Sequence, residues 1–399
     1  MLSLRLHPAA LAIGALFTLP VLAAPPEEGL HVHGGVGWAH DDNLFRVPEG
    51  EPAFDNKRGD SWTQTEVGLI FDKTYSRQRI QAVGKLSKVK FDHFDQLDYD
   101  GKDMQGTWHW QLGNRFEGKA GATYAQTLAP YTDFRSDQRN LRRQRRQFFE
   151  GTYKLHPSWR ARAAVSRDKW EYELLAQRFN NRTEKTAELE AGYEARSGSS
   201  VGLVLRQIKG EYPFRRPVGP ALLNNDFTQD ELKLRVNWLA GGSTTIQALV
   251  GYAQREQPSF GEGKTSGANG RITALYTPRG KVSYKASVWR DFAPLESTVV
   301  SYTLNKGASI GATWDATAKI RVEADAIYEK RDYNPRLALL GASDLNDSIR
   351  SASLRATWAV KRKVQLSAGY QHQARSGSPV LGTGKFSANV FSINASAQF

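Results

Sequence analysis

The sequence predicts an all-β fold, a transmembrane antiparallel β-barrel of about eighteen strands with short turns at one end and long loops at the other. Three observations support this prediction. Apolar and polar residues alternate with a period of two along segments of roughly ten residues, the length that crosses a bilayer at a tilt. The connections between the segments are alternately short and long, and aromatic residues collect at both ends of the segments.

The alternation is clearest in the last segment. From Phe391 to Phe399 every second residue is apolar, and Ser, Asn and Gln lie between them. This stretch resembles the closing strand of bacterial outer-membrane barrels, in which a terminal Phe is the usual assembly signal. The resemblance implies that Phe399 is read by the barrel assembly machinery.

The other segments follow the same pattern, with one irregularity in the third. Ile80, Ala82 and Leu86 share one parity, whereas Val89 and Phe91 have the opposite one. A change of parity within a strand is what an extra, unpaired residue produces. The sequence therefore predicts a bulge in the third strand.

The connections and the aromatic residues give the orientation. Short turns follow the even segments, and long loops follow the odd ones, as in barrels with tight periplasmic turns and large extracellular loops. An even number of strands places both termini in the periplasm. The aromatic residues form two groups, one near the short turns and one near the long loops: Trp110, Trp159, Trp238, Trp314 and Trp358, and then Tyr124, Tyr252, Tyr328 and Tyr370.

The first residues have the pattern of a secretory signal peptide. Arg5 precedes an apolar run from Ala9 to Leu22, and the small side chains of Val21 and Ala23 suit a cleavage site. We expect a signal peptide over residues 1–23 and a barrel over residues 24–399. Together they predict a location in the bacterial outer membrane.

Composition excludes several classes of function. The chain has no Cys, which rules out disulfides, thiolate metal sites and a thiol nucleophile. Its net charge of +13 favours anionic partners, but an exported protein is not expected to bind nucleic acid. Because no Gly-x-Ser-x-Gly motif and no convincing pair of carboxylates is present, we expect no catalytic residues, no metal and no cofactor.

The polar parity of the strands is the candidate functional surface. A barrel of this size encloses a water-filled channel unless loops fill it. The polar parity carries many charged residues, and cations outnumber carboxylates, so the sequence predicts a basic lumen that attracts anions. The predicted anion path consists of Arg142, Arg143, Arg145, Arg146, Arg160, Arg162, Arg206, Arg235, Arg271, Arg321 and Arg355.

The densest basic cluster runs from Arg139 to Arg146, in a predicted loop between Thr127 and Gln147. Two interpretations remain open. The loop folds inward and forms a constriction whose guanidinium groups bind carboxylate or phosphate. Alternatively, it stands at the cell surface and binds lipopolysaccharide phosphates.

A short motif follows the first strand and contains Asp41, Asn43, Phe45 and Arg46. It resembles the opening motif of outer-membrane barrels encoded in exopolysaccharide biosynthesis operons, the EpsL type. The resemblance implies non-catalytic export of a secreted polysaccharide, anionic if the lumen is basic. Outer-membrane lipid, lipopolysaccharide and periplasmic polysaccharide export proteins are the partners expected with that role. From the residues alone, Asp41 and Asn43 also suit a structural cap of the turn.

The sequence thus predicts first an exopolysaccharide export channel. The main alternative is a general or solute-specific diffusion porin, which differs in admitting small solutes when no polymer is present. A barrel enzyme and a purely structural or adhesive barrel are further alternatives.

Overall fold

We describe the chain from a computed structural model that covers residues 28–218, 221–257, 264–294, 302–333, 346–378 and 384–399. The predicted signal peptide, residues 1–23, lies outside the described residues. Within these ranges, no helix is both long and apolar enough to cross a membrane.

The described residues form twenty strands. They are β1 Gly29–Asp41, β2 Asp60–Tyr75, β3 Gln78–Phe91, β4 Tyr99–Leu112, β5 Phe116–Leu128, β6 Leu141–His156, β7 Trp159–Tyr172, β8 Arg182–Glu194, β9 Ser200–Glu211, β10 Arg216–Val218, β11 Ala221–Leu223, β12 Phe227–Ala240, β13 Thr244–Glu256, β14 Lys264–Tyr276, β15 Val282–Pro294, β16 Tyr302–Asp315, β17 Ile320–Tyr333, β18 Asn346–Lys361, β19 Val364–Arg375 and β20 Phe386–Gln398.

Eighteen of these strands form one closed antiparallel sheet, and β10 and β11 form a separate small hairpin between β9 and β12. The barrel closes where β1 pairs with β20 as well as with β2. Two backbone hydrogen bonds join Phe399 to Val32 at 2.8 and 3.0 Å and extend this closing pair to the last residue. The predicted fold class and strand number are confirmed.

The connections alternate in length as predicted. Each of the short turns follows an even-numbered strand, and between β12 and β13 the turn contains Gly241 and Gly242. Their φ angles are +58° and +55°, the left-handed values that a tight hairpin matching the strand twist requires and that glycine adopts without steric cost. Tight turns therefore lie at one end of the barrel and long loops at the other.

The outer face of the sheet is apolar. Many Leu, Val and Ile side chains on the outward parity are 38–63 % exposed, as expected for groups that contact lipid rather than a protein core. Trp159, Trp238 and Trp358 are about half exposed near the turns, and Tyr252 and Tyr370 near the loops. Two aromatic girdles therefore border the apolar belt.

The third strand differs from the prediction. Pairing of β3 with β2 and β4 runs without a shift in register, so the predicted bulge is wrong. Val89 and Phe91 point into the barrel, where they are 1 % and 6 % exposed. They are apolar because loops pack against them inside the barrel, as described below.

Candidate functional site

Three long loops fold into the outer end of the barrel and meet in an apolar cluster. Residues 42–59 supply Phe45, residues 92–98 supply Phe94 and residues 129–140 supply Tyr131. The ring of Phe45 packs edge-on against those of Phe94 and Tyr131, with centroids 4.8 and 4.9 Å apart. The cluster also contains inward-facing wall residues, including Trp62, Val89 and Phe91. Burial of this apolar surface holds the loops inside the lumen.

The opening motif fixes the first of these loops. The Asn43 side-chain amide donates to the carbonyls of Val47 and Ser387, both at 2.9 Å, and its oxygen accepts from the Val47 N–H at 2.8 Å. The Asp41 carboxylate accepts from the Asn43 N–H at 2.9 Å and pairs with Arg46 at 2.7 Å. All four motif residues, including Phe45, therefore take part in the hydrogen bonds and packing that hold this loop inside the barrel.

The third loop crosses the lumen. It connects β5 to β6, yet Asp133 near its tip forms ion pairs with Arg331 of β17 at 3.1 Å and Arg375 of β19 at 3.0 Å. Arg375 also donates to the carbonyl of Thr132. These strands belong to the opposite side of the eighteen-stranded sheet, so residues 129–140 narrow the passage.

The electrostatics of the loop keep Asp133 charged. Burial raises the pKa of the Asp133 carboxyl, but the guanidinium groups of Arg331 and Arg375 lower it more, and the net shift is downward. In the same loop, burial lowers the pKa of Arg135 and raises that of Tyr131. The tether between Asp133 and the wall is therefore ionic at neutral pH.

Most of the basic cluster lies on a strand rather than in a loop, because β6 begins at Leu141. Arg139 lies in the loop and pairs with Glu173 at 3.0 Å. Arg142 and Arg146 are on the inward parity of β6, and Arg146 lies 3.4 Å from Asp168. Arg143 and Arg145 share the outward parity of Phe149, which is 48 % exposed. The prediction that all four line the lumen is therefore wrong for Arg143 and Arg145.

Three of the predicted lumen arginines form one network on the inner wall. Arg162, Arg206 and Arg235 surround Glu188, which lies 2.8 Å from Arg235 and also contacts the other two. Arg235 further pairs with Glu190 at 2.9 Å. Cross-strand ion pairs of this kind neutralise most of the positive charge of the wall.

The remaining predicted cations on the inner wall also face carboxylates. In the described structure their neighbours are Glu194 for Arg160, Asp291 at 3.8 Å for Arg271, Asp315 at 2.7 Å for Arg321, and the directly opposite Glu323 for Arg355.

Across the described strands, inward carboxylates match inward cations almost one for one. The predicted surplus of cations in the lumen is therefore wrong, and the surplus lies on the outward parity instead. In the part of the chain that the structure describes, no group of three or more His, Cys, Asp or Glu side chains could hold a metal ion.

The tether at Asp133 is the feature that the sequence analysis missed. Arg331 and Arg375 fall on the inward parity, but a contact between residues 198 positions apart in the chain leaves no periodic signal. The sequence did carry one signal of the inward loops. Val89 and Phe91 are apolar although they lie on the inward parity, and the loops next to them contain aromatic residues. Inward apolar residues at the loop end of a strand indicate that something packs on them.

Comparisons with known proteins identify the architecture. No protein-family model and no curated protein matches the chain. Among solved structures, the chain is similar to Pseudomonas aeruginosa OccK2 (OpdF), with 11 % sequence identity, a TM-score of 0.50, and coverage of 93 % of this chain and 97 % of that one. It is equally similar to P. aeruginosa OpdK, solved with vanillate, with 10 % identity, a TM-score of 0.50 and coverage of 93 % and 99 %.

These similarities confirm the closed antiparallel barrel and agree with the predicted location in the bacterial outer membrane. They do not support the resemblance to barrels of exopolysaccharide operons. At this level of identity the comparison establishes the fold of the chain, which is that of an eighteen-stranded outer-membrane barrel.

Proposed function

We propose that this chain is a non-catalytic outer-membrane channel through which small polar solutes diffuse, the alternative that the sequence left open. The observation that carries the proposal is the loop of residues 129–140, tied by Asp133 to the opposite wall. A constriction inside a water-filled barrel admits small solutes and slows large ones. The similar architecture of OccK2 and OpdK supports this reading over export.

The charged wall suits transient contacts with polar solutes. Its guanidinium groups are held by carboxylates of neighbouring strands, as Arg235 is by Glu188 and Glu190. A solute can exchange weak contacts with several such pairs without being trapped by one strong site, which is the condition for passage. The mechanism is therefore passive diffusion along a wall of alternating charge.

Small organic carboxylates are the solutes to test first. The Arg235 side chain is 34 % exposed and that of Arg271 is 26 % exposed, so both guanidinium groups can reach the aqueous path. A guanidinium group offers a carboxylate two parallel hydrogen bonds. Vanillate, the ligand named for the OpdK structure, also carries a carboxylate.

Polysaccharide export is the competing function, and the opening motif was its main support. In the structure that motif holds a loop inside the lumen, which narrows the channel. A polymer would have to pass the same constriction.

The decisive experiment measures permeation in proteoliposomes. Swelling rates with sugars and organic acids of increasing mass should fall steeply with solute size, and empty liposomes provide the control. In planar bilayers the channel should be open without polymer, and added polysaccharide should leave its conductance unchanged. A channel that excludes small solutes, or closes only when polysaccharide is added, would contradict the proposal and favour export.

A further inference from the structure

A cluster of positive charge lies on the outside of the barrel, at the loop end of four adjacent strands. On the outward parity, basic side chains follow the last exposed apolar residues, directly after Val165 of β7 and one glutamine beyond Phe149 of β6 and Leu205 of β9. The six cations of this surface, called here the outer basic patch, are Arg143, Arg145, Arg167, Lys169, Lys185 and Lys209.

The strand register aligns these cations in rows. Arg167 of β7 lies directly opposite Lys185 of β8, and Lys185 lies directly opposite Lys209 of β9. One step further out, Arg145 of β6 lies directly opposite Lys169 of β7. Like charges directly opposite each other on one face destabilise a sheet. An anion bound between the rows would relieve this repulsion.

The outward face of these strands supplies too few carboxylates. Glu171 pairs with Lys169 at 2.8 Å and lies 3.9 Å from Arg145, and Glu211 pairs with Lys185 at 2.6 Å. Among the described residues, no carboxylate lies within ion-pair distance of Arg167 or Lys209. Two carboxylates against six cations leave a net positive patch at the edge of the lipid belt.

Exposed apolar side chains lie below the patch on the same strands. Val165 of β7 is two residues from Arg167 and 55 % exposed, and Leu189 of β8 and Leu205 of β9 are 61 % and 54 % exposed. This surface is the loop-side half of the lipid belt, where the acyl chains of the outer leaflet lie.

A second row of cations occurs on the far side of the barrel, where Arg290, Lys306 and Lys330 lie opposite one another on β15–β17. There Lys306 pairs with Asp332 at 2.7 Å, and Arg290 donates to the carbonyl of Ala268. This row has three cations and one paired carboxylate, whereas the outer basic patch has six cations and two carboxylates and so the larger excess of positive charge.

We propose that the outer basic patch forms a binding site for lipopolysaccharide of the outer leaflet. The phosphates of its lipid anchor lie against the rows Arg167–Lys185–Lys209 and Arg145–Lys169, and its acyl chains lie along Val165, Leu189 and Leu205. The spacing agrees, because Lys185 and Leu189 on the same strand are four residues or roughly 13 Å apart, about half the height of the apolar belt. More than one phosphate is needed to neutralise the rows, which favours this glycolipid over a phospholipid with a single phosphate.

Binding to protein refolded from inclusion bodies, which carries no lipopolysaccharide, tests the proposal. Titration with lipopolysaccharide should give saturable binding that weakens with salt. In the triple variant R167Q/K185Q/K209Q the Kd should rise about 100-fold, because each cation near an anionic membrane surface contributes roughly a fivefold factor. The control variant K319Q/R362Q/K363Q loses the same charge at the turn end of the barrel and should bind normally.

Titrations with other phosphate compounds distinguish lipopolysaccharide from other sources of phosphate. Dephosphorylated lipopolysaccharide should bind weakly, and inorganic phosphate or phosphatidylethanolamine vesicles should not compete. Circular dichroism of the folded barrel controls for structure in each variant. Equal affinity of the triple variant and the wild type, equal loss in the turn-end control, or equal binding of the dephosphorylated lipid would each overturn the proposal.

Discussion

At the scale of single residues, Asp133 is the side chain on which the constriction depends. Replacing it with Asn removes the charge shared by Arg331 and Arg375 while preserving shape, and each arginine keeps one other carboxylate, Glu329 or Asp347. Breaking a buried ion pair from one side costs about 3 kcal/mol. We expect D133N to release the loop and raise single-channel conductance. The exposed Asp137 of the same loop supplies the control, since D137N should conduct like the wild type.

The same residue predicts a pH dependence. The pKa of Asp133 is lowered in the folded protein, so its ionic contribution is present above the ordinary Asp value of about 3.9 and is lost as the pH falls through the lower, folded value. Conductance should therefore stay constant from pH 7 to about pH 4 and rise only below that range. D133N should show no such rise. A wild-type transition near pH 6 would contradict this assignment.

At the scale of elements, the loop of residues 42–59 depends on Asn43. N43A would remove three hydrogen bonds and leave the buried Val47 N–H without its acceptor, at a cost of roughly 2 kcal/mol. We expect faster tryptic cleavage at Lys57 or Arg58 in refolded protein, because cleavage requires the loop to open. Glu49 lies in the same loop, and its side chain forms only an exposed ion pair with Lys385, outside the loop. The E49Q variant should therefore be cleaved at the wild-type rate.

The elements also show what the sequence could predict. Period-two alternation and the lengths of the connections were enough for the eighteen-stranded barrel, because the lipid belt acts on every strand alike. The inward loops could not be located in this way, since the contact of Asp133 with Arg331 joins distant parts of the chain. Parity placed Arg162, Arg206 and Arg235 on the inner wall. Because Arg142, Arg143, Arg145 and Arg146 were predicted to lie in a loop, no alternation was applied to them, and the inward and outward pairs were not separated.

At the scale of the whole molecule, the net charge and the channel are separate properties. The surplus of cations lies on the outward parity, above the lipid belt, while cations and carboxylates of the inner wall balance. Exposed charges more than about 10 Å apart are screened at ordinary salt, so the outer basic patch contributes little to the field in the lumen. Overall charge is therefore a poor guide to the ion selectivity of this barrel.

The balanced wall predicts weak ion selectivity. In a tenfold gradient of potassium chloride, the wild-type reversal potential should lie close to zero, because neither ion meets an excess of fixed opposite charge. R235Q removes one of the three arginines around Glu188, leaves the inner wall with an excess of one carboxylate, and should shift the channel toward cations by a few-fold in permeability ratio. R167Q, on the outward parity of β7, removes the same charge and should leave the potential unchanged. A strongly anion-selective wild-type channel would show that the lumen carries an excess of cations after all.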